Sequence, residues 1–226
     1  MILIARIADW SHVMGKLTNI EPRCLIIPGL GNSGARHWQS IWEDVRDDCH
    51  RVDLGAWHNP HRSHWVTKLD LAIAFQNQPV VLVAHSLGCL AVAWWVALAE
   101  PERKRQVVGA LLVAPPDVER PGAHVALARF APAPHSRFPF PAMVVASTDD
   151  RYSSIEESQR LARLWGADFH NAGASGHINA DSFLGEWEEG QALLDGLIGG
   201  GRPQNQGRRS FPEGEAPRFK PTPRSH

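Results

Sequence analysis

Cysteine is scarce in this chain: Cys24, Cys49 and Cys89 are the only three, and no two of them stand in a Cys-x-x-Cys spacing. An odd, scattered set excludes a disulfide framework and a cysteine-built zinc site, and makes a reducing, cytoplasmic setting the expectation. An excess of either charge is missing as well, with a formal net charge of -1 and a pI of about 6.9. The chain therefore offers no electrostatic footprint for nucleic acid or for an anionic membrane surface. The opening Met1-Ile2-Leu3-Ile4-Ala5 is broken by Arg6 and Asp9, too early for a secretory signal or a membrane span. With 226 residues, one domain with a large core is expected. Residues 1–22 show no clear period and read as an N-terminal extension, with a start at Met14 or a short edge strand over 1–7 as alternatives. Residues 23–198 carry the domain, and 199–226, dominated by Gly, Pro and Arg, read as a disordered tail with too little apolar surface to offset its ordering entropy.

What is present is one motif above all. Val80-Val81-Leu82-Val83-Ala84 reads as a buried strand that runs into His85-Ser86-Leu87-Gly88. A small-x-Ser-x-Gly turn between strand and helix is a nucleophile elbow, and Ala84 and Gly88 are the small neighbours it needs. Residues 89–99 are apolar nearly all round and stop at Glu100-Pro101, as a buried helix ended by proline does. The competing reading is an ordinary strand and helix with a chance serine between them.

Apolar runs at 24–27, 51–54, 80–84, 107–114 and 142–147 read as strands. Helical stretches lie at 38–45, 65–75, 87–99, 155–165 and 183–198. This alternation predicts an α/β fold with a mostly parallel central sheet, helices on both faces, and a ligand site at the carboxyl ends of the strands. The segment 115–141, rich in Pro, Ala and His, sits where a cap would be inserted but is short for one; a small lining helix is expected over 123–129.

A serine nucleophile requires a base, an orienter for that base and donors for the oxyanion. The run 142–147 leads into Thr148-Asp149-Asp150-Arg151-Tyr152, which puts a carboxylate at a strand's carboxyl end. Asp150 is the preferred acid, with Asp149 read as the turn residue that caps the loop. Ala174-Ser175-Gly176-His177-Ile178-Asn179 places His177 in a loop from which it can reach back to Ser86. Against this stands the plain reading of one surface histidine among twelve. The backbone N–H groups of Leu87 and Leu30 are the candidate oxyanion donors, the latter from Pro28-Gly29-Leu30-Gly31-Asn32-Ser33-Gly34.

That glycine loop also supports a rival. Gly29, Gly31 and Gly34 match a Gly-x-Gly-x-x-Gly fingerprint, with Asp53 near the place of its acidic residue, so a dinucleotide-binding protein is the lesser alternative. The Gly-Lys-Ser/Thr ending of a phosphate loop is lacking. His58, His61 and His64, between Trp57 and Trp65, suggest a metal site, but no carboxylate or cysteine is interleaved and the favoured reading holds no metal. Trp57 and Trp65 then pack on the sheet or line a pocket mouth, and with Asn32 and His85 they are the candidate substrate-pocket residues.

With these residues assembled, the chain resembles the small α/β-hydrolases of the YdeN-like and retinoblastoma-binding-protein-9-like serine hydrolases, over about 23–198. The resemblance rests on Ile27-Pro28-Gly29-Leu30-Gly31-Asn32-Ser33 with His37-Trp38, on Trp57-x-x-Pro60 and Trp65, on His85-Ser86-Leu87-Gly88, on Asp150-x-Tyr152 and on Gly176-His177. It implies an α/β-hydrolase fold with little or no cap, Ser86, Asp150 and His177 as the triad, and no cofactor. Retinoblastoma binding in that family goes with a Leu-x-Cys-x-Glu motif; here Leu87-Gly88-Cys89-Leu90-Ala91 ends in alanine, so that partner is not implied. The expected activity is a carboxylesterase acting on a small ester, or else an amide, through an acyl-enzyme. The alternative from another class is a catalytically silent member of the same fold that binds a ligand through its cleft.

Overall fold

Along the central strands, successive side chains alternate between two apolar cores rather than between core and water, as a sheet covered on both faces requires. The computed structural model describes residues 21–199. In β1 (Arg23–Ile27) and β3 (Val80–His85), Leu25, Ile27, Leu82 and Ala84 enter one core, while Cys24, Ile26, Val81 and Val83 enter the other. In β4 (Val107–Val113) and β5 (Ala142–Ala146), Leu112 and Val144 join the first core, and Leu111, Val113, Met143 and Val145 the second. With β2 (Cys49–Arg51) and β6 (Asp168–Asn171) these strands form, among the described residues, a six-stranded sheet in the order β2-β1-β3-β4-β5-β6. Every pair is parallel.

The first core is closed by α2 (Arg62–Ala74), α3 (Leu87–Leu98) and α6 (Ile155–Trp165), through Trp65, Leu69, Trp95, Leu161 and Trp165. The second is closed by α1 (Trp38–Val45) and α7 (Glu188–Ile198), through Trp38, Trp42, Leu194 and Leu197. Burying an indole strands its N–H unless a partner is found. Trp42 donates to the Glu186 carbonyl at 2.7 Å, Trp95 to Asp70 at 2.9 Å and Trp165 to the Pro134 carbonyl at 3.0 Å. Two short helices remain: α4 (Pro101–Lys104), which begins at the proline that follows α3, and α5 (Val125–Ala128). This is the α/β architecture that the sequence predicts, with helices on both sheet faces and, among the described residues, no cap domain. The segment 115–141 carries only α5 and instead buries Val118, Leu127, Phe130, Phe138 and Phe140 against the first core.

Several boundaries differ from the sequence reading. The strand expected over 51–54 pairs earlier, with Cys24 opposite Cys49. Val52 and Leu54 are buried as the chain leaves the ladder, so their apolarity reflects packing and not pairing. β6 escaped notice because Asp-Phe-His-Asn is a polar edge strand with one apolar residue. α2 begins at Arg62, ahead of Trp65. The helix expected over 183–198 is a 3-10 turn at Ala180–Ser182 followed by α7, separated by left-handed Phe183, Gly185 and Trp187. The extension and the tail fall, in residues 1–20 and 200–226, outside the described residues, as does the alternative strand over 1–7. Among the described residues no helix is long and apolar enough to cross a membrane.

Candidate active site

Between β3 and α3 the backbone of Ser86 adopts φ 52 and ψ -124, a conformation that non-glycine residues rarely enter. It is held there by its own N–H, which donates to the Val113 carbonyl at 2.9 Å. The helix that follows crosses β1 so closely that a Cβ on Gly88 would lie 2.4 Å from the Ile27 carbonyl oxygen. Gly29 lies against the turn from above, where a Cβ would come 2.8 Å from that of Ser86. Its glycine thus has a packing reason that needs no phosphate.

Loops from β5 and β6 complete the centre. His177 Nε2 lies 2.9 Å from Ser86 Oγ, and His177 Nδ1 lies 2.8 Å from Asp150 Oδ2. The second Asp150 oxygen accepts the Tyr152 N–H at 2.8 Å. An ionised carboxylate only accepts, so His177 carries its proton on Nδ1 and turns a lone pair toward the serine hydroxyl, which donates. Water is nearly excluded: the side chains of His177 and Asp150 are 10% and 3% exposed. The Tyr152 ring covers His177, with centroids 4.4 Å apart.

Asp149 does different work. One of its oxygens accepts the Ser147 hydroxyl at 2.6 Å and the Gly176 N–H at 2.8 Å, and Ser147 in turn accepts the Ser175 N–H at 2.9 Å. These hydrogen bonds, the one from Ser147 first, hold its carboxyl below the usual range. They tie the end of β5 to the His177 loop, so Asp149 positions the histidine without touching it. His85 adds a second tie. Its Nε2–H donates to the His177 carbonyl at 3.0 Å, and burial pushes its pKa well down, so it stays neutral and faces the loop backbone. The Trp38 indole supplies a third, donating to the Ile178 carbonyl at 2.8 Å.

Ser86 and His177 open on a cleft of about 360 Å³ bounded by Leu30, Asn32, His37, His85, Leu127 and Asn179. No charged side chain lines it among the described residues. Clefts near 720 and 540 Å³ lie elsewhere, along 96–141 and 63–103, and one near 440 Å³ is lined by Asp149, His177, Asn179 and Asp181; none of the three contains Ser86. Of the candidate pocket residues, Asn32 and His85 line the cleft; Trp57 and Trp65 do not. Trp65 is fully buried in the first core, bonded to the Gly55 carbonyl at 2.9 Å, and Trp57 packs on its ring edge-on at 5.7 Å. Two aromatic residues bordering a histidine-rich turn serve packing as readily as a pocket, and here the first core claims them. Among the described residues, no acceptor is found for the N–H of Leu30 or of Leu87. Nor do three His, Cys, Asp or Glu side chains converge as a metal site would require.

Sequence reasoning missed His37, His124 and Asn179 as lining residues. His37 is the helix N-cap of α1, its Nδ1 accepting the Gln39 N–H, and the His37-Trp38 pair gives no hint that the ring also borders the cleft. Burial above all, then the neighbouring Arg51 guanidinium and His177 ring, lower the His37 pKa to about 4. The unfolded chain therefore takes up this proton first. Stability is fully present above pH about 6.5 and is lost as the pH falls toward about 4, to the extent of about 3 kcal/mol from this group. Buried His85 acts in the same direction. Urea unfolding at pH 7.0, 5.5 and 4.5 should show this decline, and a flat stability over that window would contradict neutral burial.

Residues 24–196 match the model of a protein family described as serine hydrolase. Among solved structures, a YdeN-like hydrolase from Pectobacterium atrosepticum is 27% identical with a TM-score of 0.69, the match covering 84% of this chain and 96% of that one. The ydeN gene product of B. subtilis is 19% identical with a TM-score of 0.63, covering 79% and 99%. The carboxylesterase CesB of Bacillus subtilis is 13% identical with a TM-score of 0.55, covering 81% and 86%. The last two are similar in fold alone. No curated protein sequence matches the chain.

Proposed function

This chain belongs to the serine hydrolase family, and we propose that it is a carboxylesterase that cleaves a small ester through an acyl-enzyme on Ser86. The observation that carries the proposal is the relay Asp150–His177–Ser86, hydrogen-bonded at both links and seated on a strained elbow. Ser86 Oγ attacks the acyl carbon as its proton passes to His177 Nε2, and Asp150 stabilises the resulting imidazolium. The oxyanion takes the free N–H groups of Leu87 and Leu30, each worth about 3 to 4 kcal/mol in the transition state. On collapse, His177 gives the proton to the leaving oxygen. Water then enters, His177 removes its proton, and attack on the acyl carbon releases the acid and restores Ser86. The small, uncharged cleft and the lack of a cap support a compact neutral ester over a long-chain lipid. An amide is the second substrate class for the same machinery. Neither cofactor, nucleic acid nor membrane enters this scheme, and the three buried free thiols suit a reducing cytoplasm.

Treatment with a fluorophosphonate, read by intact mass, tests the proposal. One adduct is expected on the parent protein and none on Ser86→Ala. A folded parent that takes no adduct would overturn the proposal in favour of a catalytically silent binding protein.

A further inference from the structure

The cleft holds a buried donor with nothing to donate to. His37 is only 4% exposed, yet its Nε2 has no hydrogen-bond partner among the described residues. Its Nδ1 accepts the Gln39 N–H, so in the neutral ring the proton must sit on Nε2. Burial, which lowers the ring's pKa to about 4, keeps it neutral at working pH. A stranded N–H in a native interior calls for an explanation, and a role in ligand recognition is one.

Two neighbours in the cleft show the same polarity. The side-chain oxygen of Asn179 accepts the Asp181 N–H at 3.0 Å, and that of Asn32 accepts the Ser33 N–H at 2.8 Å and Arg51 Nη1 at 3.0 Å. Both acceptor ends are thus occupied, and the amide N–H₂ ends have no protein partner among the described residues. The cation bonded to Asn32 is spent, since Arg51 also binds Glu43, the Ser33 carbonyl and the Ser40 hydroxyl. The cleft therefore suits an uncharged acceptor, not an anion.

The side on which this donor lies follows from the ties around it. His37 directly precedes Trp38, which holds the loop of His177, and its ring is 4.6 Å from that of His85, which is 5.0 Å from that of His177. This is the His177 flank of Ser86, where the leaving oxygen collects its proton. We propose that His37 Nε2–H, with the Asn179 and Asn32 amides, forms a donor subsite that reads an ether or hydroxyl oxygen in the leaving alcohol. Preferred substrates are then esters of polyol-like or ether-like alcohols, not of plain alkyl alcohols. This inference rests on the hydrolase reading of the same cleft.

The test is a matched pair, 2-methoxyethyl butanoate and butyl butanoate, which differ by one oxygen in place of a methylene. Each kcat/KM is divided by the rate constant for hydroxide hydrolysis to remove intrinsic reactivity. The parent should prefer the ether ester by about 10- to 100-fold, the range expected when a buried donor is otherwise left unpaired. Two variants separate binding from capping. In His37→Asn the side-chain oxygen can replace Nδ1 at the helix cap but nothing reaches the Nε2 position, so the preference should fall to near one. In His37→Gln an amide N–H reaches the Nε2 position while the cap is lost, so the preference should persist although the melting temperature drops. A preference near one in the parent, or one unaltered in His37→Asn, overturns the subsite. A purely structural role, with the N–H lodged against the His85 ring, predicts reduced stability in both variants and an unaltered preference, which overturns it too. A parent that cleaves neither ester and takes no fluorophosphonate overturns the hydrolase reading itself, an outcome distinct from the others.

Discussion

Exchanging Ser86 for alanine should lower kcat for the proposed small ester by about 10⁶-fold, and exchanging Asp150 for asparagine should lower it by about 10⁴-fold, with the fold retained in both. The first loss is that of the nucleophile. The second follows from where the two Asp150 oxygens point. One accepts the Tyr152 N–H and the other faces His177 Nδ1. In the asparagine variant the amide oxygen must stay on the Tyr152 N–H, because an N–H₂ there would meet another donor. The N–H₂ end is then aimed at His177 Nδ1, which can only accept it by moving the ring proton to Nε2. That proton points at Ser86 Oγ, and the base is lost with almost no change in shape. Asp149→Asn should fall far short of this, since Asp149 meets only the Ser147 hydroxyl and backbone N–H groups. Steady-state kinetics with p-nitrophenyl butanoate, alongside circular dichroism of each variant, decides the matter. A loss below tenfold in Asp150→Asn would remove that residue from the triad and reopen the case for its neighbour.

Gly88→Ala should be among the most damaging single methyl groups in the described fold, at about 3 to 5 kcal/mol. The added Cβ would lie 2.4 Å from the Ile27 carbonyl oxygen and 2.7 Å from that of Pro28. Both are backbone atoms, one at the end of a central strand and the other at the start of the loop that carries the Leu30 donor. No rotamer relieves such a contact, so helix and strand must part, and the oxyanion donors move with them. Gly34→Ala is the control: nothing lies within 4 Å of its added Cβ, and its stability should stay within about 0.5 kcal/mol of the parent. Denaturant midpoints for the two variants make the comparison. Equal stabilities would show that the elbow tolerates a looser crossing than this geometry allows.

The chemistry of this protein was legible because its constraints are local. A serine between Ala84 and Gly88, after an apolar run and before an apolar helix, announces a strained turn, since few other turns need that set of sizes. The candidate acid was read from its place at the carboxyl end of a strand, and the candidate base from a small-residue loop beside the sheet. β6 was not legible, because an edge strand bonded on one side buries little and need not be apolar. Val52 and Leu54 misled for the opposite reason, being buried without being paired.

What the amino-acid order determined by itself was the elbow, the candidate order Ser86, Asp150, His177 and the alternation that builds a parallel sheet. These depend on steric fit and periodicity over a few residues. What only the tertiary structure decided was the division of labour between Asp149 and Asp150, the burial of Trp65 in the core with Trp57 packed against it, and the approach of His37 to the cleft. Each depends on partners far away in the chain: Gly176 for Asp149, Phe130 for Trp65, and the walls of the cleft for His37. Hydrogen-bond direction and burial belong to pairs of residues, and a pair exists only once the chain has folded.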